Sequence, residues 1–137
     1  IHVGDGAFIS GYAAIHQFVR IGELAMIAGQ ARVPKDVPPF CLIAGHPGRV
    51  RGLNLVGIRR AGLSRDAIAE LRSLFRVLYH ASLPFGEASK EITIAAKTDA
   101  GKTFARFVEE SLRGKRGLSP ASLPGASDPD ENGDEAG

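Results

Sequence analysis

The sequence predicts a left-handed parallel β-helix of about two coils, followed by a small α-helical domain and a disordered acidic tail. Three observations carry this. Residues 3–38 repeat with a six-residue period. Residues 64–114 hold three apolar stripes at helical spacing. Beyond Leu118 the chain is rich in Pro, Ser, Gly and Asp.

The repeat consists of six hexads: VGDGAF, ISGYAA, IHQFVR, IGELAM, IAGQAR and VPKDVP. Position one is always a β-branched aliphatic: Val3, Ile9, Ile15, Ile21, Ile27 and Val33. Position five is always small: Ala7, Ala13, Val19, Ala25, Ala31 and Val37. One hexad makes one side of a triangular coil, so a coil takes about 18 residues. The aliphatic plugs the prism, and the small residue lies near a corner where a larger one collides. A repeat buries its face only against a neighbour, and about three are needed for stability. Further coils are therefore expected before Ile1, where the repeat is already in phase.

The repeat stops at Asp36-Val37-Pro38-Pro39-Phe40, because proline donates nothing to a strand ladder. Cys41-Leu42-Ile43-Ala44 reads as a last short strand, ended by Gly45-His46-Pro47-Gly48. The expected division is 1–44 for the end of the prism, 45–63 for a connecting loop, 64–118 for three helices and 119–137 for the tail. Ser64 is a good N-cap with Asp66 in the first turn. Ala67, Ile68, Leu71, Leu74, Phe75 and Leu78 form the stripe of the first helix, which ends near His80. Pro84 opens a second helix with Phe85, Ala88, Ile92 and Ala95 on one face. Gly101 precedes a third, with Phe104, Phe107, Val108 and Leu112 inward and Gly114 at its end.

Composition limits the function. At 44% hydrophobic and 23% charged residues the chain is globular in class. No apolar run approaches the roughly 20 residues of a membrane span, so stable membrane insertion is not expected. The lone cysteine, Cys41, has no internal disulfide partner and no metal-ligand spacing around it. All 17 Lys and Arg side chains fall at or before Arg116, against 10 acidic residues in the same stretch. The tail carries the other five acids: Asp128, Asp130, Glu131, Asp134 and Glu135. A basic folded part suits a phosphorylated or acidic partner. No metal, cofactor or nucleic acid is expected.

Three segments together resemble a known family. They are Ile15-His16-Gln17-Phe18, Asp36-Val37-Pro38-Pro39-Phe40, and Asn54 to Arg65 (NLVGIRRAGLSR), with Arg113 to Leu118 (RGKRGL) closing the pattern. Residues 1–118 are similar to the C-terminal half of the UDP-N-acetylglucosamine O-acyltransferases of lipid A synthesis. The resemblance implies a cytoplasmic homotrimer. It moves a 3-hydroxyacyl chain from acyl carrier protein to the 3-hydroxyl of UDP-N-acetylglucosamine, in a cleft between neighbouring prisms. The family's general base is a histidine in a coil expected before Ile1. No catalytic residue is therefore expected in this chain, and the segment alone is expected to be inactive.

The resemblance also implies site residues. His16 and Gln17 line the cleft and hold the substrate. Asn54 hydrogen-bonds the nucleotide, and Arg60 contacts its diphosphate, for which a guanidinium fork is suited. Ala61 stands where many family members have a further basic residue. Met26 and Gly29 fall where the family measures acyl length, and His46 lies near the acyl groove. The basic helical face suits acyl carrier protein, which is acidic. Rival readings are another hexapeptide acyltransferase (N-acyl or acetyl-CoA-dependent), a zinc carbonic anhydrase on the same prism, and a non-catalytic trimeric scaffold. NLVGIRRAG argues against the first, and His16 alone is thin support for the second.

Overall fold

The computed structural model describes residues 1–122. Of the acidic tail expected at 119–137, residues 123–137 lie outside them. Six two-residue strands follow at six-residue steps: β1 (His2–Val3), β2 (Phe8–Ile9), β3 (Ala14–Ile15), β4 (Arg20–Ile21), β5 (Met26–Ile27) and β6 (Arg32–Val33). β1 pairs in parallel with β4, β2 with β5 and β3 with β6. The chain thus winds as a three-sided solenoid, and hexad position one repeats on the same side one turn later. β7 (Cys41–Ala44) stacks on β5, and Val37 bridges to Ile21.

The inward aliphatics form three columns: Val3–Ile21–Val37, Ile9–Ile27–Ile43 and Ile15–Val33. Ile21, Ile27, Val33, Val37 and Ile43 are fully buried. Each such side chain contributes about 1.5–3 kcal/mol relative to an exposed one. Val3 and Ile9 remain 47% and 40% exposed because solvent reaches them through the end face of the first coil.

Hexad position four has its own rule, which the aliphatic pattern does not reveal. Gly6, Tyr12, Phe18, Leu24 and Gln30 all have positive φ, between 55° and 71°. A left-handed residue turns the chain sharply at each of these five corners. For a bulky L-residue this costs about 1–2 kcal/mol. Bonds such as Leu24 N to Asp5 O (2.8 Å) and Gln30 N to Gly11 O (3.0 Å) offset that cost.

Residues 45–63 are not loop throughout, which corrects the sequence expectation. β8 (Arg49–Leu53) folds back antiparallel on β7 and buries Val50. Helix α1 (Leu55–Arg60) follows, anchored by the buried Ile58. Two arginines flanking Val50 and one apolar anchor in a six-residue helix leave too little periodicity to read.

α2 (Arg65–Tyr79), α3 (Phe85–Ala95) and α4 (Asp99–Leu112) pack pairwise. Ser64 caps α2, its hydroxyl accepting from Ala67 N at 3.1 Å. α2 buries five of its six striped residues, with Ile68 half-buried. In α3 it is Ala96, just past the helix, that is buried, and the expected Ala95 is exposed. α4 starts two residues before Gly101, because Thr98 caps it by accepting from Gly101 N at 2.9 Å.

One buried carboxylate joins the two parts. Asp36 Oδ1 accepts from Arg20 N (2.8 Å), and Oδ2 accepts from the Ser111 hydroxyl on α4 (2.7 Å). Beside it, Arg20 pairs with Glu110 at 3.0 Å and lies over the Phe107 ring. The chain after α4 then returns to the solenoid. Asp36 N donates to Gly117 O, Ser119 N to Asp36 O, Val50 N to Pro120 O and Ser122 N to Val50 O. Residues 119–122, expected as the start of the tail, are thus held on β8, with Tyr79 Oη donating to Ser119 O at 2.8 Å.

Candidate functional site

The solenoid has three edges. The first comprises residues 4–7, 22–25 and 38–40, the second 10–13, 28–31 and 45–48, and the third 16–19 and 34–36. The candidate residues are distributed over all three edges of this one chain.

His16 and Gln17 lie on the third edge. His16 is half-buried, and its backbone N donates to Val33 O at 3.0 Å. Gln17 is exposed, and its carbonyl accepts from Arg116 Nε at 2.8 Å. Phe18 follows with φ 67°, so the bend of the chain presents the His16-Gln17 pair on the outside of the corner.

Asn54 belongs to the first edge and does structural work there. Its Oδ1 accepts from Gly57 N (3.1 Å) as the N-cap of α1, and its Nδ2 donates to Leu24 O (3.0 Å). Arg60 is exposed in the last turn of the same helix, beside Arg59. The six-residue helix therefore carries Asn54 and Arg60 at its two ends, and the Leu24 bond ties both to the solenoid. Two neighbouring cations at a helix C-terminus are favourably placed, since the helix dipole is negative there.

Met26, Gly29 and His46 gather on the second edge and the face leading to it. Met26 is buried in the outward row Phe8–Met26–Leu42. Gly29 is exposed at the corner, and a Cβ there meets only Gly11 O at 3.6 Å and Ser10 Cβ at 3.9 Å. His46 is exposed in the β7–β8 turn, which lies against the same edge: Arg32 N donates to Gly45 O, and Gly48 N to Arg32 O.

Two clefts of this chain lie elsewhere. One of about 340 Å³ is lined by Glu23, Phe40, Ser64, Thr98 and Asp99. The other runs between β4 and α4, past His2, Arg20 and Glu110. None of the seven candidate residues lines either cleft. Cys41 is fully buried, which pushes its thiol far above the ordinary value and keeps it protonated.

The family model described as "Udp N-acetylglucosamine O-acyltransferase; Domain 2" matches residues 36–118, from the Asp36 junction through α4. The chain belongs to this family. It is 39% identical over 122 residues to the acyl-[acyl-carrier-protein]–UDP-N-acetylglucosamine O-acyltransferase of a Synechocystis species, covering 88% of this chain and 44% of the relative. The Burkholderia mallei enzyme of the same name is 40% identical over 119 residues, covering 83% of this chain and 45% of the relative. Among solved structures, the UDP-N-acetylglucosamine acyltransferase of Campylobacter jejuni aligns with TM-score 0.78 and 35% identity, over 88% of this chain and 46% of that one. The Arabidopsis enzyme aligns with TM-score 0.79 and 30% identity, over 85% and 43%. The chain thus spans less than half the length of the relatives it matches. Among the described residues, no helix is long and apolar enough to cross a membrane.

Proposed function

We propose that this chain is the substrate-binding and carrier-binding portion of an acyltransferase that moves a 3-hydroxyacyl group from acyl carrier protein to the 3-hydroxyl of UDP-N-acetylglucosamine in the cytoplasm. The observation that carries this is the family match, which runs through both Asn54 and Arg60. The reaction deprotonates the sugar hydroxyl as it attacks the thioester carbonyl. The carbon–sulfur bond then breaks, and the carrier leaves as its thiol. The histidine base is expected in coils of the family that precede Ile1.

The fold is read as a left-handed parallel β-helix, with the β-branched aliphatics at position one and the 18-residue register of Val3 to Ile21 in support. The assembly is read as a homotrimer of parallel prisms. The spread of candidate residues supports it. His16 and Gln17, Arg60 and Asn54, and Met26, Gly29 and His46 sit on different edges, so a single prism does not bring them together. Prisms standing side by side bring the third edge of one against another edge of its neighbour. His16 and Gln17 then hold the sugar, Arg60 the diphosphate, and Met26, Gly29 and His46 the acyl chain. Asn54 acts on the nucleotide through its placement of α1, with the remaining hydrogen of its amide free to donate. The basic surface of the helices receives the acidic carrier. The family match favours this reading over the N-acyl, acetyl-CoA-dependent and scaffold alternatives.

The test is nucleotide binding. In the acyltransferase containing this chain, Arg60→Ala is expected to weaken UDP-N-acetylglucosamine binding by about tenfold, or about 1.4 kcal/mol, for a lost charge-assisted phosphate contact. The exposed position predicts an unchanged melting temperature and trimer mass. Unchanged affinity on titration calorimetry would remove Arg60 from the site.

A further inference from the structure

The loop that leaves α4 lies across the third edge of the solenoid. It is fixed there at the buried Asp36, whose N donates to Gly117 O at 2.8 Å and whose O accepts from Ser119 N at 2.9 Å. That anchorage brings two cations over the His16-Gln17-Phe18 corner. Arg116 Nε donates to the Gln17 carbonyl at 2.8 Å. Lys115 Nζ stands 4.3 Å from the centroid of the Phe18 ring. The corner itself is bent at Phe18, a bulky residue at φ 67°. Such a conformation persists only where its surroundings hold it.

We propose that Arg116 is a positioning residue for the sugar-nucleotide site. It grips the peptide that links Gln17 to Phe18. The orientation of that carbonyl fixes the Gln17 ψ and the Phe18 φ together. These angles set the direction in which Gln17, and His16 before it, project from the corner. A guanidinium is well suited to this grip, because it stays charged and its bond to a carbonyl is stronger than one from a neutral donor. Lys115 restrains the ring on the far side of the same peptide through its cation–π contact. The helical part thereby shapes the substrate wall of the solenoid from within one chain, in addition to any carrier it receives. This rests on the reading of His16 and Gln17 as substrate contacts.

The experiment is a double-mutant cycle read by titration with UDP-N-acetylglucosamine, on the acyltransferase containing this chain. Arg116→Ala is expected to weaken binding by about tenfold, and by a smaller factor when Gln17→Ala is already present, the remainder acting through His16. Arg116→Lys, which restores a charged donor, is expected to recover part of the loss. KM for the acylated carrier should not move. Arg116→Gln keeps a polar side chain but no charge, and it reads the same loss if the alanine variant does not fold. An equal loss with and without Gln17, or no loss in Arg116→Ala, overturns the positioning role while the site reading stands. If the unaltered enzyme does not bind UDP-N-acetylglucosamine, the site reading falls and this role with it.

Discussion

Gly29 has room for a side chain that it does not carry. Its φ is not in the left-handed region, and the nearest atoms to a Cβ are at ordinary contact distance. Gly22, at the equivalent hexad position to Gly4, is different: a Cβ there runs into the backbone of Pro39, so the fold itself demands glycine. The packing of the solenoid therefore requires glycine at position 22 and does not require it at position 29. Gly29→Met is expected to shift the preferred acyl donor toward shorter chains, at a stability change below about 1 kcal/mol. Competition between carriers loaded with different chain lengths reads the first, and urea denaturation the second. An unaltered preference removes Gly29 from the acyl groove. Asn54 shows the limit of reading residues from sequence. The motif singles it out and its cap bond to Gly57 N is local, but its bond to Leu24 O depends on a corner 30 residues earlier that no local pattern announces. Arg116 was legible only as part of a closing motif, because its partner is a backbone carbonyl 99 positions away.

At the scale of elements, the start of α4 depends on a side chain from α2. Glu70 accepts from Lys97 N (2.8 Å), Thr98 N (3.0 Å) and the Thr98 hydroxyl (2.6 Å). Partial burial works to raise its pKa. The Thr98 hydroxyl, the two backbone N–H groups and the Lys97 charge outweigh that and hold it below the ordinary 4.5. A carboxyl lowered on folding stabilises fully above its unfolded value, and that contribution is lost as pH falls through the folded value. Glu70→Gln is therefore expected to be less stable than the unaltered chain at about pH 6, with the gap closing toward about pH 3. Denaturant midpoints across that range check it, and a gap independent of pH contradicts it. The long helices were legible because amphipathic stripes in α2 and α4 record which face is buried. β8 and α1 were not. Each has one deeply buried residue, Val50 or Ile58, and one point fixes no period.

At the scale of the molecule, Asp36 is the junction. Its carboxylate is buried and satisfied on both oxygens, by the coil through Arg20 N and by α4 through Ser111. Removing it strands two buried donors, each costing about 1–3 kcal/mol. Asp36→Ala is expected to cost about 3 kcal/mol or more by that reckoning, and Ser111→Ala less, since the backbone bond to Arg20 survives. Chemical denaturation ranks the two, and equal losses would contradict a shared carboxylate. The solenoid was legible because its core repeats every hexad. The seating of the helices on it was not, because one buried aspartate with two partners carries no periodicity. The return of residues 117–122 to positions 36 and 50 has a consequence for biogenesis. The outer margin of β8 stays unpaired until the last of these residues has left the ribosome. A nascent chain that stalls before then displays a strand margin open to other chains, the circumstance in which aggregation begins.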